Sequence, residues 1–212
     1  TKRRETIKKY FLAALVVLSA STFAANVTVF GGLNLNGKLS VEDDGIETRE
    51  SADEAGYTYG IEINKKIKNL ENGKIEIGLG TKYETSFMVD EFQDKTLATT
   101  MPIYLSGKLS QKVSKSTNVF IKGSVGYTLP FEGDIMDSLN NSLKSQNQEL
   151  ELGGGLYTGI GIGVEMNKLV LGLDYSISRV SVETKYINSY TLGFEDYEYS
   201  KLALTVGAKF GN

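Results

Sequence analysis

The sequence predicts an all-β chain: a transmembrane, antiparallel, up-and-down β-barrel of eight strands. Three observations carry that expectation. Polar and apolar residues alternate with a period of two through eight separate runs, and the connections between runs are alternately short and long. The composition favours strands and turns, with 23 Gly, 12 Tyr and 9 Phe but only 2 Pro in 212 residues. Strict alternation is a strand signal because successive side chains point to opposite faces of a sheet. A chain of this length suits one domain with a closed core.

The first 24 residues stand apart as a leader. Lys2, Arg3, Arg4, Lys8 and Lys9 give a positive start, and the apolar run YFLAALVVLSA from Tyr10 to Ala20 is too short to cross a bilayer as a helix. Thr22-Phe23-Ala24 puts small residues at the two positions a signal peptidase reads, so residues 1–24 are expected to be a signal peptide cleaved after Ala24. Residues 25–212 are then the barrel domain. Removing the leader takes away five basic residues and one acidic residue, moving the net charge from -3 to about −7.

The runs follow in order. Val27, Val29, Leu33, Leu35, Leu39 and Val41 share one face against Thr28, Asn34, Asn36, Lys38 and Ser40. Tyr57, Tyr59, Ile61 and Ile63 oppose Thr58, Glu62 and Asn64. Ile75, Ile77, Leu79, Tyr83 and Phe87 oppose Lys74, Glu76, Gly78, Gly80, Lys82 and Glu84. Met101, Ile103, Leu105 and Leu109 oppose Pro102, Tyr104, Ser106 and Lys108. Val119, Ile121, Val125, Tyr127 and Leu129 oppose Phe120, Lys122, Ser124 and Thr128. The sixth run sets Leu150, Leu152, Leu156, Ile160, Ile162 and Val164 against Glu151, Gly153, Gly155, Tyr157, Gly161, Gly163 and Glu165. The seventh sets Leu169, Leu171, Leu173, Tyr175 and Ile177 against Gly172, Asp174, Ser176 and Ser178. The last sets Leu202, Leu204, Val206, Ala208 and Phe210 against Lys201, Ala203, Thr205, Gly207 and Lys209. Most runs reach the roughly 9–11 residues that a tilted strand needs to span a bilayer.

Two arrangements fit such runs. A soluble lipocalin-like binding barrel turns its apolar face inward, and a membrane barrel turns it to lipid. The polar face favours the second, since it combines the small Gly78, Gly80, Gly153, Gly155, Gly161 and Gly163 with Glu and Lys able to pair across a lumen. The apolar face is Leu, Ile and Val, with Tyr57, Tyr59, Tyr83, Phe87, Tyr127 and Phe131 toward the long-loop ends as an interfacial girdle. Short connections are expected around Lys66–Gly73, Gln111–Thr117 and Asn167, and long loops at Glu42–Glu54, Met88–Thr96, Pro130–Gln148 and Lys185–Asp196. A ten-stranded variant would draw on Glu183–Leu192.

With its leader, its alternating runs, its short-turn and long-loop rhythm and its ending K-L-A-L-T-V-G-A-K-F-G-N, the chain resembles the small eight-stranded bacterial outer-membrane barrels of the OmpA-like and opacity-protein type. The resemblance implies short periplasmic turns, long extracellular loops, and contact with outer-membrane lipid and lipopolysaccharide. It also implies a last strand, with Gly207 and Phe210, read by the barrel assembly machinery. A monomer is expected. The implied role is structural or adhesion-like at the cell surface, with a narrow porin-like channel for ions or small solutes as the alternative.

Composition excludes much else. With no His and no Cys, histidine general bases, Ser-His and Cys-His nucleophiles and thiolate zinc sites are all missing. Barrel enzymes of this size resemble one another in using a catalytic His, so no enzyme, no cofactor and no metal site is expected. An isoelectric point of about 5.2 argues against nucleic acid as a partner. The candidate site is instead a lumen ion-pair network of Glu62, Glu76, Lys108, Lys122, Glu165 and Lys209, expected at similar heights on six strands near the short-turn half. Charges buried there must pair or be penalised.

The outer loops read as acidic: Glu42, Asp43, Asp44, Glu47, Glu50, Asp53 and Glu54 stand against one Arg49, and Glu195, Asp196 and Glu198 follow later. The short turns read as basic, with Lys65, Lys66, Lys68, Lys112, Lys115 and Lys168. Acidic loops can serve solvation, divalent-cation bridging or attraction of a basic extracellular partner. Ile135, Leu139 and Leu143 after Asp134 predict a short surface helix in the third long loop.

Overall fold

A computed structural model describes residues 25–43, 46–52, 56–85, 98–132, 140–143, 148–186 and 191–211. Nine strand segments are present: β1 (Ala25–Asp43), β2 (Ile46–Ala52), β3 (Tyr57–Leu70), β4 (Gly73–Glu84), β5 (Ala98–Lys112), β6 (Thr117–Glu132), β7 (Gln148–Met166), β8 (Leu169–Tyr186) and β9 (Thr191–Phe210). Each pairs antiparallel with its neighbour, and β1 pairs with β9 from Val27↔Phe210 to Val41↔Tyr197, so the sheet closes on itself. β2 and β3 occupy one edge of β1 in succession, β3 beside its first half and β2 beside its second. The nine segments therefore make an eight-stranded ring, and closure leaves the ring no open edge.

The alternation decides which face is wet. Leu105 is 63% exposed on the outer wall while Glu76 and Glu84 are 0% exposed inside. Val29, Ile77, Ile121, Ile160, Leu171 and Val206 are likewise outward and exposed, and Thr58, Thr100, Thr128 and Ser178 are buried in the lumen. A soluble barrel is built the other way round, so the lipocalin-like alternative is overturned by this inversion of polarity. Tyr57, Tyr59 and Tyr127 face out near the long-loop end, where Tyr83 stacks on its cross-strand partner Tyr59 with ring centroids 5.3 Å apart.

The short turns fall at residues 71–72, 113–116 and 167–168, and Asn167 takes positive φ, which Asn tolerates in a tight turn. The long-loop end departs from expectation. Glu42–Glu54 is a hairpin extension over most of its length, with Asp43 opposite Ile46 and Gly37 opposite Ala52. Pairing between β8 and β9 likewise continues to Lys185↔Thr191. The described parts of the Glu183–Leu192 segment, residues 183–186 and 191–192, thus lengthen two existing strands, and the ring has eight strands rather than ten. Ladder bonds satisfy backbone groups in any exposed segment whose partner lies alongside, and high strand content at the tips is the result. Of the third long loop, residues 140–143 make one helical turn, fastened where Asn140 Nδ2 donates to the Leu150 carbonyl and the Leu150 amide donates to Asn140 Oδ1. Ile135 and Leu139, like Met88–Thr96, Phe87 and the leader, lie outside the described residues.

Two face assignments also need correction. An extra residue in β1 between Asn34 and Asn36 breaks the register with β9, Asn34 pairing with Ala203 but Asn36 with Leu202, so a single face cannot run from Val27 to Val41. An extra residue in β7 between Gly154 and Tyr157 likewise breaks the register with β8: Tyr157 pairs with Ser178, but Leu152 pairs with Val182 and Glu151 with Glu183. A bulge shifts side-chain parity by one. Glu151 is exposed rather than inside, and a single face cannot run from Leu150 to Val164.

Glycine on the wet face makes room for large neighbours. A Cβ on Gly80 would lie 2.5 Å from Cζ of Tyr104, its buried cross-strand partner on β5. Gly80→Ala should therefore lower unfolding free energy by about 1–3 kcal/mol through overpacking. Gly107→Ala on the outer wall, where a Cβ meets nothing within 4 Å, should leave it unchanged. Urea titration of the refolded barrel in lipid vesicles checks both.

Candidate functional site

Charged side chains project into the lumen in three layers. β4, β5, β7 and β9 each contribute an inward residue to the lowest layer, near the short turns. There Lys108 Nζ lies 2.7 Å from Glu165 Oε1 and 3.1 Å from Glu76 Oε2. Lys209 Nζ lies 3.1 Å from Glu165 Oε2 and 4.0 Å from Glu76 Oε1, and Lys74 Nζ lies 2.9 Å from Glu76 Oε1 and 3.8 Å from Glu165 Oε2. Asn26 Nδ2 also donates to Glu76 Oε1 at 3.3 Å. Three ammonium groups thus surround two carboxylates.

The middle layer has the opposite balance. Lys122 Nζ sits 3.5 Å from Glu62 Oε2 and 3.3 Å from Asp174 Oδ1. Asn64 Nδ2 and Tyr104 OH donate to Glu62 at 2.9 and 3.1 Å, and Thr205 Oγ1 donates to Asp174 Oδ2 at 3.1 Å. Two carboxylates share one ammonium, so neutral donors complete their shells, as burial of charge requires.

The upper layer returns to a positive excess. Glu84 Oε1 takes Lys82 Nζ at 2.6 Å and Lys201 Nζ at 2.5 Å, while Thr100 Oγ1 donates to Glu84 Oε2 at 3.1 Å. Lys82 also donates to Ser176 Oγ at 3.3 Å and stands 4.8 Å above the Tyr157 ring, and Lys201 reaches Thr58 Oγ1 at 3.4 Å. Tyr157 packs against Tyr104 with centroids 5.3 Å apart. The ionised groups named give formal layer charges of +1, −1 and +1 from the short-turn end upward, so each layer attracts its neighbour across a low-dielectric interior.

The six residues singled out from sequence divide between two layers. Glu76, Lys108, Glu165 and Lys209 meet in the lowest, and Glu62 and Lys122 pair in the middle. Sequence reasoning missed Lys74 and Asp174, which complete those layers, and the whole Lys82–Glu84–Lys201 cluster. The signal was present: Lys82 and Glu84, two apart in one alternating run, must share a face. Between the lower two layers lies a cavity of about 40 Å³, lined by Glu62, Lys108, Phe120, Lys122, Glu165 and Asp174 among others. A water needs roughly 10–15 Å³, so the space suits two or three waters.

Lys82 and Ser176 bring a lysine to a serine hydroxyl, the pairing that a nucleophilic mechanism without histidine would need. The same ammonium is held by Glu84 at 2.6 Å, which makes it an ion-pair donor and not a base. Ser176 is only 2% exposed.

Comparison with known proteins places this geometry. Among solved structures the fold is similar to the outer membrane protein OprG from Pseudomonas aeruginosa, at 13% identity over 89% of this chain and 97% of that one, with a TM-score of 0.48. It is similar also to Neisserial surface protein A, at 7% identity, 88% and 97% coverage and a TM-score of 0.46. The outer membrane protein AlkL, seen in lipid bilayers, gives 12% identity, 89% and 91% coverage and a TM-score of 0.48. No curated protein matches by sequence. The family model described as the outer membrane protein beta-barrel domain matches residues 10–210, nearly the whole chain. With an apolar outer wall, a closed eight-stranded ring and that match, the chain belongs to the outer membrane protein β-barrel family and to the outer membrane of a Gram-negative bacterial envelope.

Proposed function

We propose that this is a closed barrel with a structural or surface-interaction role, adhesion-like in kind, whose lumen is plugged by its own ion pairs. The observation that carries the reading is the stack of three charged layers, in which every ammonium has a carboxylate within 4.0 Å and the space between layers is about 40 Å³. Eight strands leave an interior just wide enough for side chains to fill it. What remains for partners is the long-loop end, where β1, β2, β8 and β9 rise together above the shorter β4. The reading is non-catalytic, supported by the absence of His and Cys from the sequence. It includes export with residues 1–24 as a removable leader, recognition of the last strand through Phe210 by the assembly machinery, and a monomeric barrel whose acidic outer loops meet lipopolysaccharide through divalent cations or receive a basic partner.

One feature favours a second reading, a narrow channel. Lys108 is shared between Glu76 and Glu165, so exchange of partner needs little motion. Planar-bilayer recording separates the two. The plugged barrel should pass no resolvable single-channel current at 100 mV, whereas discrete steps in the unmodified protein would establish the channel instead.

A further inference from the structure

The short-turn end carries a charge of its own. Three backbone hydrogen bonds stitch the turns into one rim: the Lys112 amide donates to the Asn72 carbonyl at 2.7 Å, Asn167 to Ser116 at 2.9 Å, and Lys209 to Lys168 at 2.7 Å. On that rim Lys65, Lys66, Lys68, Lys112, Lys115 and Lys168 are all exposed, and Glu71 is the exposed acid among the described residues there. Apolar side chains stand between them. Ile67 is 55% exposed and Val113 is 65% exposed, with Leu70 also open. The bulge between Lys66 and Lys68 leaves Ile67 without a ladder partner.

Register gives the rim a direction. Lys65 pairs with Ile77 and Lys68 with Ile75, so both lysines lie on the lipid-facing side of the β3–β4 hairpin, at the lower edge of the apolar wall. A lysine there runs its methylene stem along apolar surface and lifts its ammonium to the water boundary, where the phosphates of a bilayer lie. A soluble polyanion needs the charge alone; exposed Ile67, Leu70 and Val113 beside it, continuous with the lipid-facing wall, suit a bilayer interface.

We propose that this rim is a docking surface for the phosphate-bearing headgroups of anionic phospholipid in the leaflet that the short turns face. The proposal stands whether or not the lumen conducts. The test uses the full barrel refolded in vesicles containing spin-labelled phosphatidylglycerol or spin-labelled phosphatidylcholine, with motional restriction of each label measured by electron spin resonance. Phosphatidylglycerol should associate about fivefold more strongly per engaged lysine. The preference should shrink in 0.5 M salt, where screening length falls to about 4 Å. Lys65→Gln/Lys68→Gln/Lys115→Gln should cut it by at least about fivefold with the heat-modifiable gel shift retained. Ile67→Ser should weaken association of both labels. Equal association of the two lipids in the unmodified barrel overturns the proposal, as does a preference that the triple substitution leaves undiminished. Binding of polyphosphate by the detergent-held barrel with no lipid preference overturns it too, in favour of a soluble anionic partner.

Discussion

Glu84→Gln should cost the barrel on the order of 3–5 kcal/mol of unfolding free energy, the largest loss expected from a single lumen substitution. Glutamine keeps the shape of the side chain and an oxygen to accept from Thr100, but not the charge. Lys82 and Lys201, which now converge on Glu84 Oε1, would be left facing each other with no carboxylate within 4.0 Å among the described residues, at 6% and 1% exposure. Lys201→Met is the informative companion. It removes one cation of the pair, leaves Lys82 and Glu84 matched one to one, and places an apolar chain of similar length against Thr58. Its expected effect is within about 1 kcal/mol, because the cation removed is the one in excess and the Lys82–Glu84 pair that remains leaves no buried charge uncompensated. Urea titration in vesicles, read by tyrosine fluorescence and the gel shift, gives both values. Equal losses in the two variants would mean that the shared carboxylate is not what makes this layer tolerable.

That cluster also marks where sequence stopped being informative. The inward direction of Lys82, Glu84 and Lys201 is legible, because alternation assigns each to the polar face of its run. Their meeting is not. Lys201 lies on the strand that closes the ring, and which inward side chains share a height depends on strand tilt and stagger around the barrel, quantities without a local signature. Reading charges by distance from the short turns put Glu62, Glu76, Lys108, Lys122, Glu165 and Lys209 at one height, whereas Glu62 and Lys122 sit a layer above the other four, and it passed over Asp174, which sits inside a run of small polar residues. Bulges are the other blind spot. The extra residue between Gly154 and Tyr157 turns Glu151 outward, and nothing in G-G-G-L-Y says on which residue the step falls. The long-loop ends were legible as polar connections, but whether a polar segment pairs or coils depends on a partner strand being alongside, which is a property of the closed sheet.

Lys108→Ala should open the lumen, because Lys108 both bridges the two lowest carboxylates and borders the 40 Å³ cavity between the lower two layers. Truncation joins the space of its four-carbon stem to that 40 Å³ and lets water reach Glu62 and Asp174 from below. Glu76 and Glu165 keep Lys74 and Lys209, so the lowest layer becomes neutral and the stability loss is smaller than for Glu84→Gln, roughly 2–4 kcal/mol by analogy with other large-to-small changes. A single-channel current should appear in planar bilayers, and the remaining excess of carboxylate in the middle layer should make it prefer cations. Glu76→Ala tests the same layer with the opposite sign. It leaves Lys74, Lys108 and Lys209 around Glu165 alone, so any current should prefer anions and the barrel should be the less stable of the two. Reversal potentials under a salt gradient read the sign directly. Unchanged stability together with silent bilayers in both variants would remove the ion-pair stack from any part in closing this barrel.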